Sequence, residues 1–213
     1  MSYKKTRLVP NGHPDPTTQQ ACIQLILKTI KKAKQNKAIV LFLDPAHQVH
    51  NVDNRYCWQR KGKSGTKLIP SNSGRERLTI IGAINATTHR PTILTTAGNC
   101  DGLMMQAFLG EVRKDYPTTK TIYIFLDNAK YNHSHLVRDE AKKLHIKLLF
   151  LPPYSPNLNL IERLWKFMKK QVTANKYYKT FTEFTQAIHD FFKHIDQYTT
   201  ALNTLLTLNF EIL

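Results

Sequence analysis

Residues 121–165 read TIYIFLDNAKYNHSHLVRDEAKKLHIKLLFLPPYSPNLNLIERLW, and the fold turns on them. Thr121-Ile-Tyr-Ile-Phe-Leu-Asp127 is a continuous apolar run that stops at an acid, the pattern of a strand buried on both faces. His133 to Leu144 predicts a helix, and Ile146 to Leu151 a second strand. Strand, helix and strand in that order form a crossover unit, which pairs its strands in parallel. Pro152-Pro-Tyr-Ser-Pro156 is a rigid connection, because each proline fixes its own φ and keeps its predecessor out of helical space. A helix follows from Leu160 to about Val172, with Leu160, Ile161, Leu164, Trp165 and Met168 forming its apolar stripe.

Toward the N-terminus the first pattern returns. Ala38-Ile-Val-Leu-Phe-Leu-Asp44 is again an apolar run closed by an acid. Before it, Thr17 to Asn36 predicts an amphipathic helix, with Ala21, Leu25, Ile26, Ile30 and Ala33 on one face and lysines on the other. Residues 52–76 are irregular and basic. Leu78 to Ala86 and Pro91 to Thr96 predict a hairpin, Asp101 to Tyr116 a helix, and Phe181 to Ile195 another with a short helical tail. Residues 1–16, with Pro10, Gly12, Pro14 and Pro16, have the composition of a linker ahead of one domain spanning 17–213. The early hairpin requires antiparallel pairing and the later crossover parallel pairing. The fold class is therefore α/β, a mixed five-stranded sheet with helices on both faces.

Composition sets the outer limits. With 213 residues and 41% hydrophobic content the chain can bury a real core. Lys and Arg number 31 against 15 Asp and Glu, a net charge of +16, which favours a polyanionic partner such as nucleic acid. Cys22, Cys57 and Cys100 form no CxxC pair, which speaks against a zinc ribbon, a redox motif or a disulfide framework. No apolar run approaches the length needed to span a bilayer, and the first residues lack a signal-peptide core, so a cytoplasmic protein is expected.

Ligand sites of open α/β sheets lie at the carboxyl ends of strands. If the two apolar runs are parallel neighbours, Asp44 and Asp127 meet at one such edge. A single acid there is explained by a turn or a helix cap; two matched instances shift the balance toward a shared site. For Glu162 the spacing alone favours a structural role, because Asn159 three residues earlier makes a capping box and Lys166 an i,i+4 partner. Glu162 nevertheless lies off the apolar stripe, free to point into a site. Three converging carboxylates would suit magnesium, a hard cation that takes oxygen ligands and keeps several waters.

Leu126-Asp-Asn-Ala-Lys-Tyr131 together with Leu149-Phe-Leu-Pro-Pro-Tyr-Ser-Pro-Asn-Leu-Asn-Leu-Ile-Glu-Arg-Leu-Trp165 resembles the DDE transposases of the bacterial insertion-sequence branch of the mariner superfamily. The 34 residues between Asp127 and Glu162 match the spacing this superfamily favours, and Phe42-Leu-Asp44 and Ile81-Gly-Ala-Ile-Asn85 add weaker support. The resemblance implies an RNase H-like fold with Asp44, Asp127 and Glu162 as catalytic and metal-binding triad. It implies two magnesium ions, with manganese as substitute, that cleave transposon ends and join the freed 3′-hydroxyl to target DNA. It also implies double-stranded DNA as partner, a homodimer on DNA, and nucleoid association when bound. Leu160 stands where relatives often have Pro, Pro45 where many have an acid, and His133 one residue later than their His. Relatives carry N-terminal helix-turn-helix modules that read the element ends. Residues 1–16 resemble the linker that follows them, so such a region is expected to be fused or separately encoded.

Arg55, Arg60, Lys61, Lys63, Lys67 and Arg75 in the basic stretch are candidate phosphate contacts, as are Lys166, Lys169 and Lys170 on the polar face beside Glu162, and Lys130 after the second Asp. His47, His50 and His133 are candidates for DNA or supporting contacts, with a structural role favoured for each, and Trp165 is assigned to the core. Two other functions compete: another RNase H-like nuclease, such as a Holliday-junction resolvase or a hybrid-specific ribonuclease, and an inactive or repurposed fragment that only binds DNA.

Overall fold

The computed structural model describes residues 15–61 and 65–212. The linker assigned to residues 1–16 thus lies almost wholly outside the described residues, as does Lys63. Helix α1 (Pro16–Gln35) starts one residue earlier than expected, with Pro16 in its first turn and Asp15 accepting from the amides of Thr17 and Thr18. Strands β1 (Ile39–Val49), β2 (Arg77–Asn85) and β3 (Pro91–Thr96) form an antiparallel meander. Helix α2 (Gly102–Asp115), capped by Asp101, leads to β4 (Ile122–Leu126). Helix α3 (His135–Lys143) then crosses over to β5 (Ile146–Phe150). Helices α4 (Ile161–Val172), α5 (Phe181–Lys193) and α6 (Thr199–Leu205) complete the chain.

The sheet order is β3-β2-β1-β4-β5, with β1 parallel to β4 and β4 parallel to β5. Strand alternation sorts the core into two layers. Val40, Phe42, Ile80, Ile84 and Phe125 face α1, α4 and α5, whereas Leu41, Leu43, Ile81, Ile122, Ile124 and Leu126 face α2 and α3. The mixed five-stranded sheet with helices on both faces is thus as expected.

Three local expectations are corrected. β1 does not stop at Asp44 but runs five residues further, through Pro45, because β2 stays paired with it as far as Val49↔Arg77. β4 has by then left β1, the last parallel pair being Phe42↔Phe125, so Pro45 sits where one side of β1 is an edge and a missing amide proton is tolerated. The helix expected from His133 begins at His135, because Lys130–His133 form a separate 3₁₀ turn and Ser134 caps α3. Asn159 does not cap α4: its side chain donates to the carbonyl oxygen of Leu43 at 3.0 Å, and the residue before α4, Leu160, makes no side-chain cap.

Candidate active site

The alternation that buries Phe42 and Phe125 also aims the two aspartates. Phe42 and Phe125 are paired in register and stack with centroids 5.3 Å apart. Two residues further along each strand, Asp44 and Asp127 fall on the same face of the sheet. Parallel pairing of β1 and β4 ends at the phenylalanines, so the strands part there and leave a gap. The first turn of α4 brings Glu162 to that gap. Asp44, Asp127 and Glu162 line one cavity of about 330 Å³, together with Asn128, Asn159 and the Pro152–Pro156 turn. A larger cleft of about 430 Å³ lies along the outer strand β5, but its lining of Arg138, Lys142, His145 and apolar side chains holds no carboxylate. Volume alone does not mark the site.

The cavity is poor in positive charge where it matters. Burial, followed by the neighbouring charges of Glu162 and Asp127, pushes the Asp44 carboxyl up to about 8. Burial also raises Glu162, against the opposing pull of Lys166 and Lys169. Asp127 is exposed and held in place: Asn132, fully buried, donates to its Oδ1 at 2.9 Å, and the Ala129 amide donates to the same atom at 3.2 Å. Asn128 ties the end of β4 to the carbonyl of Leu151 at 2.5 Å. Beside the aspartates, the Cys100 thiol and Tyr131 hydroxyl face each other, and burial raises the pKa of both.

Among the described residues, no His, Cys, Asp and Glu side chains are gathered into a ready-made metal cage. The three acids form an open set instead, and their chemistry fits a hard divalent cation. All three offer oxygen, burial together with the charge of the other two disfavours ionisation of Asp44, and no cationic side chain lines the cavity. Magnesium takes few protein oxygens and fills the rest of its shell with water and substrate phosphate.

The basic candidates divide. Lys166 and Lys169 lie close enough to Glu162 to favour its charged form. Lys169 also shares a cleft with Arg55, whose guanidinium is engaged by Asp53 at 2.6 Å. Lys170, Lys130, Arg60, Lys61, Lys67 and Arg75 are exposed, and none lines the carboxylate cavity. The histidines do not line it either. His50 is buried and bonded to the Tyr178 carbonyl and to Asn72, His47 contacts Thr79, and His133 stacks on Phe150. Sequence reasoning missed Asn132, Tyr131 and Cys100 at the site. Asn132 alone had a usable signal, its place five residues after Asp127.

A family model described as DDE superfamily endonuclease matches residues 40–185, more than half of the chain. The Tc3 transposase of Caenorhabditis elegans is 43% identical over 70 residues, 32% of this chain and 21% of that protein. A 39 kDa uncharacterised protein of insertion element IS630 from Shigella sonnei is 21% identical over 142 residues, 66% of this chain and 40% of that protein. The pre-cleavage Mos1 transpososome superimposes with a TM-score of 0.70 at 14% identity, over 97% of this chain and 64% of that one. The isolated catalytic domain of Mos1 mariner transposase gives 0.62 at 13% identity, over 93% of both chains. Mos1 paired-end complexes have been crystallised with Mn and with Mg. These likenesses establish an RNase H-like fold. The chain spans 40% or less of the length of the Tc3 and IS630 proteins.

Proposed function

From the premise that this chain belongs to the DDE superfamily endonuclease family, we propose that it is the catalytic domain of a DNA transposase. It cleaves DNA at the ends of its element and joins the freed 3′-hydroxyl to target DNA. The observation that carries this reading is the convergence of Asp44, Asp127 and Glu162 from two parallel strands and a helix on one cavity without a lining cation. Asp44, Asp127 and Glu162 would hold two magnesium ions, or manganese in their place, whose chemistry is to activate an attacking oxygen and stabilise a leaving one.

The chain's own residues prepare that site. Asn132 fixes the rotamer of Asp127, and Asn159 fastens the start of α4 to β1. The Pro152–Pro156 turn gives Glu162 a stiff approach. Lys166 and Lys169 lie near Glu162, where they would meet a phosphate backbone. Lys130, Lys170 and the exposed basic residues of the β1–β2 loop extend that field over more of the duplex. Two copies acting together on DNA, and end recognition by a fused or separately encoded helix-turn-helix region, belong to the same proposal. End-specific gel shifts by this chain alone would remove that last element.

The test is nicking of a duplex oligonucleotide with magnesium or manganese by the unmutated chain and by Asp127→Ala. Metal-dependent nicking lost in the variant is expected. Joining of a pre-cut 3′-end to a target duplex separates a transposase from a resolvase or ribonuclease of the same fold. Retained DNA binding without any nicking would overturn the catalytic reading.

A further inference from the structure

Trp165 is 3% exposed, and its indole N–H makes no hydrogen bond of regular geometry among the described residues, although the Asp44 carboxylate lies within its reach. An enclosed donor without a regular bond is rare and calls for an explanation. The ring's position supplies one. α4 carries Trp165 on the face packed against the sheet, and the ring lies over Gly82, where an added Cβ would stand 2.5 Å from Cη2 and 2.9 Å from Cζ2. Gly82 is the cross-strand partner of Asp44. Side chains of directly opposed residues share a face, with Cβ positions about 4.5–5.5 Å apart. The benzo edge of the indole, Cη2 first and Cζ2 next, is laid on the β2 backbone, and Cζ2 is bonded to the carbon that bears Nε1, so the N–H sits on the adjoining flank of a ring that lies over the cross-strand partner of Asp44. The indole is near enough to Asp44 to favour the ionised carboxylate.

We propose that Trp165 is a positioning residue for Asp44: its indole N–H closes onto one carboxylate oxygen while the other takes a divalent cation, and Gly82 is the slot that lets the ring reach it. This rests on the reading of Asp44, Asp127 and Glu162 as the metal-holding acids. A neutral donor suits the task. Indole nitrogen donates only, so it anchors the charged carboxylate, and it brings no positive charge to oppose the cation. A lysine or arginine in its place would compete with the metal for Asp44. The buried donor and the side-chain-free residue opposite Asp44 then have one shared cause.

The experiment uses the two indole N–H signals of the full chain in NMR, Trp58 being fully exposed and serving as internal control. Magnesium is expected to move the Trp165 signal downfield and slow its exchange with water, to leave Trp58 unmoved, and to have no such effect in Asp44→Asn. Trp165→Phe, which keeps a ring but removes the donor, is expected to weaken manganese binding measured calorimetrically by about tenfold or more. A Trp165 signal indifferent to magnesium, or wild-type manganese affinity in a folded Trp165→Phe, overturns the proposal. The indole signal decides the matter on the unmutated chain even where Trp165→Phe does not fold. Undiminished manganese affinity in Asp44→Asn would instead overturn the carboxylate site itself, and this role with it.

Discussion

Asp44 is a carboxyl that the fold makes hard to ionise, since burial and two neighbouring acids hold it at about 8. In the unfolded chain an aspartate titrates near about 4. A folded pKa above the unfolded one contributes stability that is fully present below about 4 and is lost as pH rises through about 8. The metal-free chain should therefore lose melting temperature across that window. Asp44→Asn, which has no proton to give up, should melt above the unmutated chain at pH 8 in chelator, by a few degrees, while losing all nicking. Thermal scans at pH 4, 6 and 8 would check this, and parallel curves for the two proteins would contradict it. Asn132→Ala leaves Asp127 without its buried donor and is expected to cut nicking by about 10- to 100-fold with little change in DNA affinity; equal rates at saturating DNA would refute it. The two aspartates were legible in the sequence because an apolar run stopped or turned at each. Asn159 was misread because its spacing to Glu162 satisfies the capping rule. Only the fold shows that side chain bonded to a carbonyl of β1 instead.

Between elements, the decisive contact is α4 lying across β2. Gly82 has no side chain, and the Trp165 ring occupies the space a Cβ would need. Gly82→Ala is expected to cost about 1–3 kcal/mol through this overpacking, read as a shift of the urea midpoint with unchanged slope. No shift would mean that α4 slides freely on the sheet. Strand and helix identities followed from periodicity, and the hairpin and the crossover both appear where expected. The continuation of β1 past Asp44 did not, because the apolar run closes at that acid, whereas pairing with β2 carries the strand on to Val49. The 3₁₀ turn at Lys130–His133 was likewise hidden inside what looked like the first turn of α3.

For the molecule as a whole, charge and topology carry different information. The net charge of +16 pointed to a polyanion without saying where it binds. The structure puts Lys166 and Lys169 near Glu162 but outside the lining of the carboxylate cavity, and leaves Arg60, Lys61, Lys67 and Arg75 on an exposed loop. DNA affinity should fall linearly with salt on logarithmic axes, and Lys166→Ala should flatten that slope by about 1. An unchanged slope would remove Lys166 from the DNA face. The three acids also enter the chain in a fixed order, at positions 44, 127 and 162, and only the last helix of the cavity closes it. While a ribosome is still extending the chain, the first two acids have no third to join. A premature stop codon or frameshift anywhere before Glu162 yields a product without a complete acid set. Under the proposed function, a cell expressing this protein would thereby be spared unfinished copies able to cut its chromosome.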